Sequence, residues 1–381
     1  MTRKILYISG TRADYGLMRP VLAEIQRRPG LELHVAATGM HLMPEFGNTL
    51  NDIRRDGFAC HVVEAAHERD TKESMALFIA CFLQGLVPLA IRLCPDIILL
   101  LGDRGEMLAG AIAGAYLGIP VVHIHGGEVT ATGDESARHA ITKLAHIHLP
   151  ATAGSARRII AMGEDPAHVI VTGAPGLDAV RDVRPSAARE AARRCGIDPE
   201  KSFLLVVQHP VPLEPGNPAA QMEATLEAAC SFPHPVLVVY PNADAGGRAM
   251  IGIIGKYADA GKVKAFASLG HVDYLSLLSL ASVLVGNSSS GIIEAPSFGV
   301  PAVNIGTRQA GRERGENVID CGYGRQEIAA AIRHSLTDEA FRKKVKSAAN
   351  PYGTGESSRT IAGILETFPL TPELLQKRMM Y

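Results

Sequence analysis

An α/β protein built on two parallel sheets is predicted by three observations. Short apolar or β-branched runs alternate with longer helical patterns along the chain. Those runs are apolar throughout rather than at every second position, as expected of strands covered on both faces. The chain of 381 residues also exceeds what one hydrophobic core ordinarily organises, so two domains are expected.

In the first half the strand candidates are 4–9 (KILYIS), 31–38, 96–101 (DIILLL), 119–124, 147–151 and 168–173. Helical patterns occupy 17–28 and 73–93 between them. After about residue 176 the alternation restarts with 202–209, 234–240, 262–268, 281–287 and 301–306. The polar stretch 181–202 reads as the connection between the domains, and 350–365 combines Pro and Gly with a capping Ser or Thr ahead of a closing helix. The expected organisation is residues 1–176, residues 177–355, and a C-terminal helix within 356–381 that packs back on the first domain.

Composition removes several function classes. A net charge of −1 supplies no basic field for nucleic acid and no polybasic stripe for a membrane surface. The six cysteines are scattered without a CxxC pair, which fits free thiols in a reducing compartment. The chain opens as MTRKILYISG, a strand-like run and not a secretory leader. Apolar stretches are broken by Gly, Pro or charge before about 18 residues, so no membrane span is expected and the cytoplasm is the expected location.

In open α/β sheets ligands sit beyond the carboxyl ends of the strands, and six loops there carry unusual chemistry. SGTRADYG (9–16) offers Gly10 for a tight turn and Arg12 as a forked donor to a phosphate oxygen. A GxGxxG fingerprint is absent, which argues against a nicotinamide enzyme. LLLGDRGE (99–106) places Asp103 and Arg104 past an apolar strand, where desolvation is expected to raise a carboxyl into the general acid or base range; from this loop alone, a plain helix cap is the stronger account of Asp103. HIHGGEVTATGDESARH (123–139) crowds His125, Glu128, Asp134 and Arg138 after another strand. No HExxH motif, Cys partner or third ligand accompanies His123 and His125, so no metal is assigned, and His123 reads as a satisfied strand histidine.

His209 in VVQHPVP and Asn242 in YPNADAGGR are weaker signals at strand ends of the second half. The most informative loop is VGNSSSGIIEAPSFGVPAVNIGTRQAGRERGENV (285–318). Ser288, Ser289, Ser290 and Gly291 can cradle an anion, Glu294 can accept two ribose hydroxyls, and Arg308 and Arg312 follow the next strand. Serine capping beside a solvated arginine face would explain each residue singly, but not why phosphate-type loops recur at equivalent strand ends of both halves.

Eight collinear segments (GTRADYG, TGMH, LGDR, HIHGGE, RHAITKLAH, PNADAGGR, GNSSSGIIEAPSFGVP and GTRQAGRERGENV) together resemble the hydrolysing UDP-N-acetylglucosamine 2-epimerases, from residue 4 to about 365. The resemblance implies a GT-B-like fold, two Rossmann-like domains facing across a cleft, with the nucleotide held mainly by the second. By motif match Arg12, Arg104, His209, Asn242, His271, Ser288, Ser289, Glu294 and Arg308 look like nucleotide and diphosphate ligands. Asp103, Glu128 and Asp134 look like the catalytic carboxylates, the first two primary and the third accessory, with His125 and Arg138 in support. QHPVP stands where non-hydrolysing relatives carry an HRREN-like segment, which favours the hydrolytic branch.

The expected reaction converts UDP-N-acetylglucosamine to N-acetylmannosamine and UDP through a 2-acetamidoglucal, without a cofactor, as in nonulosonic acid synthesis. The same reaction on a UDP- or GDP-linked 2,4-diacetamido-trideoxy sugar and non-hydrolysing epimerisation are the alternatives. A GT-B glycosyltransferase or a non-catalytic sugar-nucleotide sensor would share the nucleotide site but have no use for three acids in the first half. The expected partners are a nucleotide-sugar substrate and further copies of the chain, as a homodimer or homotetramer.

Overall fold

The computed structural model describes residues 2–47, 49–65, 68–130 and 133–380. Its first sheet holds β1 (Arg3–Ser9), β2 (Leu31–Ala37), β3 (Ala59–Val62), β4 (Ile97–Leu101), β5 (Val121–Ile124) and β6 (Ile147–Leu149). The second holds β7 (Leu204–Val207), β8 (Val236–Val239), β9 (Lys264–Phe266), β10 (Val283–Gly286), β11 (Ala302–Ile305) and β12 (Val318–Cys321). The spatial orders are β3-β2-β1-β4-β5-β6 and β12-β11-β10-β7-β8-β9, parallel throughout. Taken from the other edge, the second order repeats the first.

Both are doubly wound sheets whose chain direction reverses beside the starting strand, between β1 and β4 and between β7 and β10. Central strands are buried on both faces: every residue of β4 (IILLL), β7 (LLVV) and β10 (VLVG) is inaccessible or nearly so. That burial is why their sequences are uninterrupted apolar runs.

Four expectations need correction. β3 and β12 were not anticipated; both are edge strands with mixed burial, so neither carries an unbroken apolar signal. Segment 168–173 is not a regular strand: it leaves a 3-10 turn at Pro166–His168 and runs beside β6 through the bridge of Val169 to His148 and the N–H groups of Ile170 and Thr172, which donate to the carbonyls of His148 and Pro150 at 2.9 and 3.0 Å. The stretch 181–202 is more than a connection, because Pro185–Arg194 is a helix that buries Ala188, Ala191 and Ala192 against the helix His271–Leu280. The stretch 73–93 forms the helix Lys72–Leu93, 22 residues long with a mean hydropathy of 2.1 over its most apolar window, long and apolar enough by composition to cross a bilayer. Its Pro88 does not end it, and Phe78, Phe82, Leu86 and Leu89 pack it on the first sheet.

The helix Ser357–Thr367 lies along the helix Arg12–Arg27 of the first half, with Arg28 and Glu366 paired at 2.7 Å. Beyond it Leu374 joins the same core, and the ammonium of Lys377 donates to the carbonyls of Thr142, Lys143 and Ala145 at 2.6–3.0 Å.

One glycine fixes the junction between β10 and the serine-rich loop. Gly286 has φ 133°, and a Cβ there would stand 2.1 Å from the carbonyl oxygen of Val207 on the neighbouring strand. Gly286→Ala is expected to lower stability by about 2–4 kcal/mol, from backbone strain plus the clash, in a denaturant titration. An unchanged midpoint would show that the strands move apart at no cost.

Candidate active site

All the site residues singled out from the sequence line one cleft between the carboxyl ends of the two sheets. The first half contributes the loops after β1, β2, β4 and β5; the second contributes those after β7, β8, β9, β10 and β11. The cleft therefore joins the two chain-reversal points face to face.

The first loop is braced from within. Asp14 accepts from the backbone N–H groups of Gly10 and Thr11 at 3.0 and 2.7 Å, and from the hydroxyls of Thr11, Ser9 and Tyr7. With Thr11 as N-cap this is a capping box, which fixes the start of the helix Arg12–Arg27 and hence Arg12. Arg12 reaches across the cleft to donate to Ser268 Oγ at 2.9 Å and to the carbonyl of Leu269. A Cβ on Gly16 would meet the ring of His271 at 2.7 Å, so the glycine lets the two halves approach there.

The carboxylates sit among arginines. Arg138, almost fully buried, donates to the Glu128 carbonyl at 2.8 Å, to Thr130 Oγ1 at 3.2 Å and to the Asp103 carboxylate. Glu128 is inaccessible and accepts from His125 Nδ1 at 3.0 Å on one oxygen, while the other is paired with Arg312 of the second half. His125 holds φ 62°, an uncommon backbone conformation for a residue with a side chain, in a loop tied back by its N–H to the Leu149 carbonyl. His123 donates from Nε2 to the Gly102 carbonyl at 2.7 Å and accepts at Nδ1 from Thr142, a fully partnered strand histidine that burial pushes down to about 3.

Charge divides the three acids. Burial would raise the Asp103 carboxyl, but Arg138, Arg312 and Arg308 outweigh it and hold it below the usual range, so the upward shift expected from desolvation alone is reversed. Glu128 is likewise pulled far down by Arg312 and His125 despite its burial. Asp134 goes the other way: burial and then the charge of Asp103 push it up to about 6. One of the three is thus poised to take up or release a proton near neutrality, beside two that stay ionised.

The opposite wall is organised by Asn287, which was not singled out from the sequence. Its side chain accepts from the His209 N–H at 2.7 Å and donates to the His209 carbonyl at 2.9 Å. Its own carbonyl receives Arg308 at 3.1 Å and Gln309 at 2.8 Å. His209 Nδ1 accepts the Asn242 N–H at 3.1 Å, so a neutral ring carries its proton on Nε2, and burial keeps it neutral. Arg104 crosses the cleft to Asp244 at 3.4 Å while also contacting the buried Glu106 at 3.3 Å. Ser288 and Ser289 precede a single helical turn, Ser290–Ile293, and Glu294 stands at its end with its carboxyl raised by burial.

Five cleft atoms are buried without a hydrogen-bond partner among the described residues: Asn242 Oδ1, His271 Nε2, Tyr274 Oη, Glu294 Oε2 and Arg312 Nε. Such orphans are uncommon in native interiors and mark where a polar molecule completes the network. Arg312, Tyr274 and Asp244 also join the site here. Arg312 was visible after β11, but nothing in the sequence says that it reaches Glu128, 184 positions away.

Two Rossmann-type sheets meeting at their chain reversals, with a serine-rich loop and a carboxylate on one side and acids on the other, define a GT-B-class nucleotide-sugar protein. A family model described as UDP-N-acetylglucosamine 2-epimerase matches residues 23–366, and the chain belongs to that family. It is 41% identical over 382 residues, all of both chains, to a hydrolysing UDP-N,N'-diacetylbacillosamine 2-epimerase of Legionella pneumophila. A UDP-N-acetylglucosamine 2-epimerase of Neisseria meningitidis serogroup B is 36% identical, over 88% of each chain. Among solved structures, a Neisseria meningitidis UDP-GlcNAc 2-epimerase bound to UDP-GlcNAc superposes with a TM-score of 0.78 at 20% identity, over 95% of this chain and 99% of that one, a likeness of fold.

Proposed function

We propose that the protein is a hydrolysing 2-epimerase of a UDP-linked 2,4-diacetamido-trideoxyhexose. The observation that carries the substrate class is full-length similarity at 41% to an enzyme named for UDP-N,N'-diacetylbacillosamine. Leu17, Met40, Phe46 and Leu101 give the cleft apolar wall, which suits a sugar with a C6 methyl and two acetamido methyls better than one rich in hydroxyls. Hydrolysis of UDP-N-acetylglucosamine, expected from the sequence, is the second reading, supported by the 36% identical relative.

In this reading Glu294, Ser288 and Ser289 hold the nucleoside and its phosphates. Arg12, Arg104, Arg308, His271 and the Nε2–H of His209 surround the diphosphate, with Asn242 beside them. Their donors stabilise charge as the C1–O bond breaks, the largest single contribution expected. C2–H is not beside a carbonyl and becomes acidic only as C1 acquires positive character. Asp134, with the highest pKa of the three acids, is the strongest base available at neutral pH and takes that proton, leaving a glycal and free UDP. Asp103, fixed by Arg138, keeps the negative charge that raises Asp134 and faces the developing cation. Glu128, hydrogen-bonded to His125 and ionised, orients on the opposite face the water that adds across the glycal, its hydroxyl going to C1 and its proton to C2.

Incubating the protein with the UDP-linked diacetamido sugar and, separately, with UDP-N-acetylglucosamine in deuterated water tests this. The expected products are UDP and the free 2-epimer carrying deuterium at C2, with kcat/KM at least about tenfold higher for the diacetamido sugar. Release of UDP with no deuterium at C2 would remove the elimination route, and a preference for UDP-N-acetylglucosamine would select the second reading.

A further inference from the structure

The helix Gly133–Leu144 carries Asp134 in its first turn and Arg138 in its second, and its far end is closed by the last residues of the chain. An α-helix leaves its final four carbonyls without partners inside the helix. Here the Ile141 carbonyl accepts the Ala145 N–H at 2.8 Å. Those of Thr142 and Lys143, with that of Ala145 just beyond, all accept from the ammonium of Lys377 at 2.6–3.0 Å. The same ammonium is paired at 2.6 Å with the buried Glu164, which also accepts from Lys143 at 2.5 Å and from His148 Nε2 at 3.0 Å. Burial would raise the Glu164 carboxyl, but these three donors outweigh it and bring it down to about 2. Leu374, seated in the first core, and the Met380 N–H, bonded to the Gly163 carbonyl at 2.9 Å, hold the tail on either side of Lys377.

We propose that Lys377 is a positioning residue for the catalytic acids: it fixes the helix Gly133–Leu144 along its axis and so sets where Asp134 and Arg138 stand in the cleft. The role rests on the epimerase reading, with Asp134 as base and Asp103 as its charged neighbour. Asp134, Arg138 and Thr142 are spaced four apart and share one face of the helix. Thr142 gives its hydroxyl to His123 at 3.2 Å, and His123 donates to the carbonyl of Gly102, the residue before Asp103, at 2.7 Å. One turn closer to the cleft Arg138 pairs with Asp103 itself, and one turn further stands Asp134. The capped carbonyl of Thr142 is therefore about 12 Å from Asp134 along the axis, at a rise of 1.5 Å per residue. A slip at the capped end would carry Arg138 and Asp134 together past Asp103. Lys143 and His148 already bond Glu164, so neutralising that acid does not account for the reach of Lys377 to three carbonyls. Capping does, and it also sets a cation at the negative end of the helix dipole.

Lys377→Met is expected to lower kcat for UDP release by about ten- to a hundredfold, the cost of displacing a reacting group by up to about an ångström. UDP affinity should stay within about twofold, because the other half of the chain holds the nucleotide. The acid limb near pH 6 should move to lower pH, since a loosened helix admits water to Asp134. Lys377→Arg keeps a cation and its donors at the carbonyls and should recover most of the rate. Arg378→Met, which removes the next charge at an exposed position, should leave the rate unchanged. Hydrogen exchange reads the cap without any substrate: in Lys377→Met the amides of residues 139–146 should exchange at least about tenfold faster, and those of the two sheets at the native rate. Unchanged exchange in that helix, faster exchange throughout the first half, or a Lys377→Arg rate no better than that of Lys377→Met would each overturn the assignment. Faster local exchange with native kcat and an unmoved limb would overturn this role alone, whereas a native chain that releases no UDP from either sugar would overturn the epimerase reading and this role with it.

Discussion

Asp134→Asn is expected to lower kcat by about two to four orders of magnitude, the usual worth of a positioned acid or base, while UDP affinity stays within about threefold. In the native chain kcat/KM should fall as pH drops through about 6, because protonation removes the base; the variant's residual rate should lack that limb. Stability moves the opposite way. Between the ordinary aspartate value near 4 and the folded value of about 6, the unfolded chain has lost the proton that the folded chain retains, so stability declines as pH rises. Above that window Asp134 costs roughly 1–3 kcal/mol, absent in Asn. Asp134→Asn should accordingly raise stability at pH 7.5 and leave it unaltered at pH 4 by urea titration. A variant that retains turnover, or one destabilised at pH 7.5, would remove Asp134 from its proposed role. Asp103→Asn and Glu128→Gln are expected to lower kcat by about two to four orders of magnitude with UDP binding intact. The residual rate of Glu128→Gln should keep the limb near pH 6, and that of Asp103→Asn should show it moved to lower pH, because the charge that raises Asp134 is gone.

Arg312→Leu is the second large effect. It strips Glu128, buried and ionised, of its partner from the other half, and breaking a buried pair in this way costs about 3–5 kcal/mol. The uncompensated carboxyl is then driven upward toward its neutral form, and Asp103 loses one of the charges that hold it down. A fall in kcat of a hundredfold or more is expected alongside the lower unfolding midpoint. Arg312→Leu combined with Glu128→Gln should recover most of the stability and none of the activity. Additive losses of stability in that double variant would mean that the pair is not coupled as its geometry implies.

The strands that carry the cleft were legible because they are central. β1, β4, β7 and β10 are buried on both faces, and such strands must be written as short unbroken apolar runs ending at the loops that hold Arg12, Asp103, His209 and Ser288. β3 and β12 were hidden for the converse reason, since an edge strand half in water needs no such run. The apolar segment 168–173 misled because β-branched composition also suits extended chain that leaves a sheet edge; Ile170 and Thr172 still bond the carbonyls of His148 and Pro150, and just beyond them Ala174 turns to the Tyr352 carbonyl.

By itself, then, the sequence determined two parallel α/β halves, the loops at their carboxyl ends and the residue types in those loops, since periodicity and turn chemistry act over a few neighbouring positions. Tertiary structure alone decided the strand order that brings both reversal points together and the reach of Arg312 to Glu128. It also decided which acid is raised: a carboxyl's proton affinity depends on burial and on charges within a few ångströms, and for Asp134 those charges come from Asp103, Arg308, Asp244 and Arg104 on other segments of the chain.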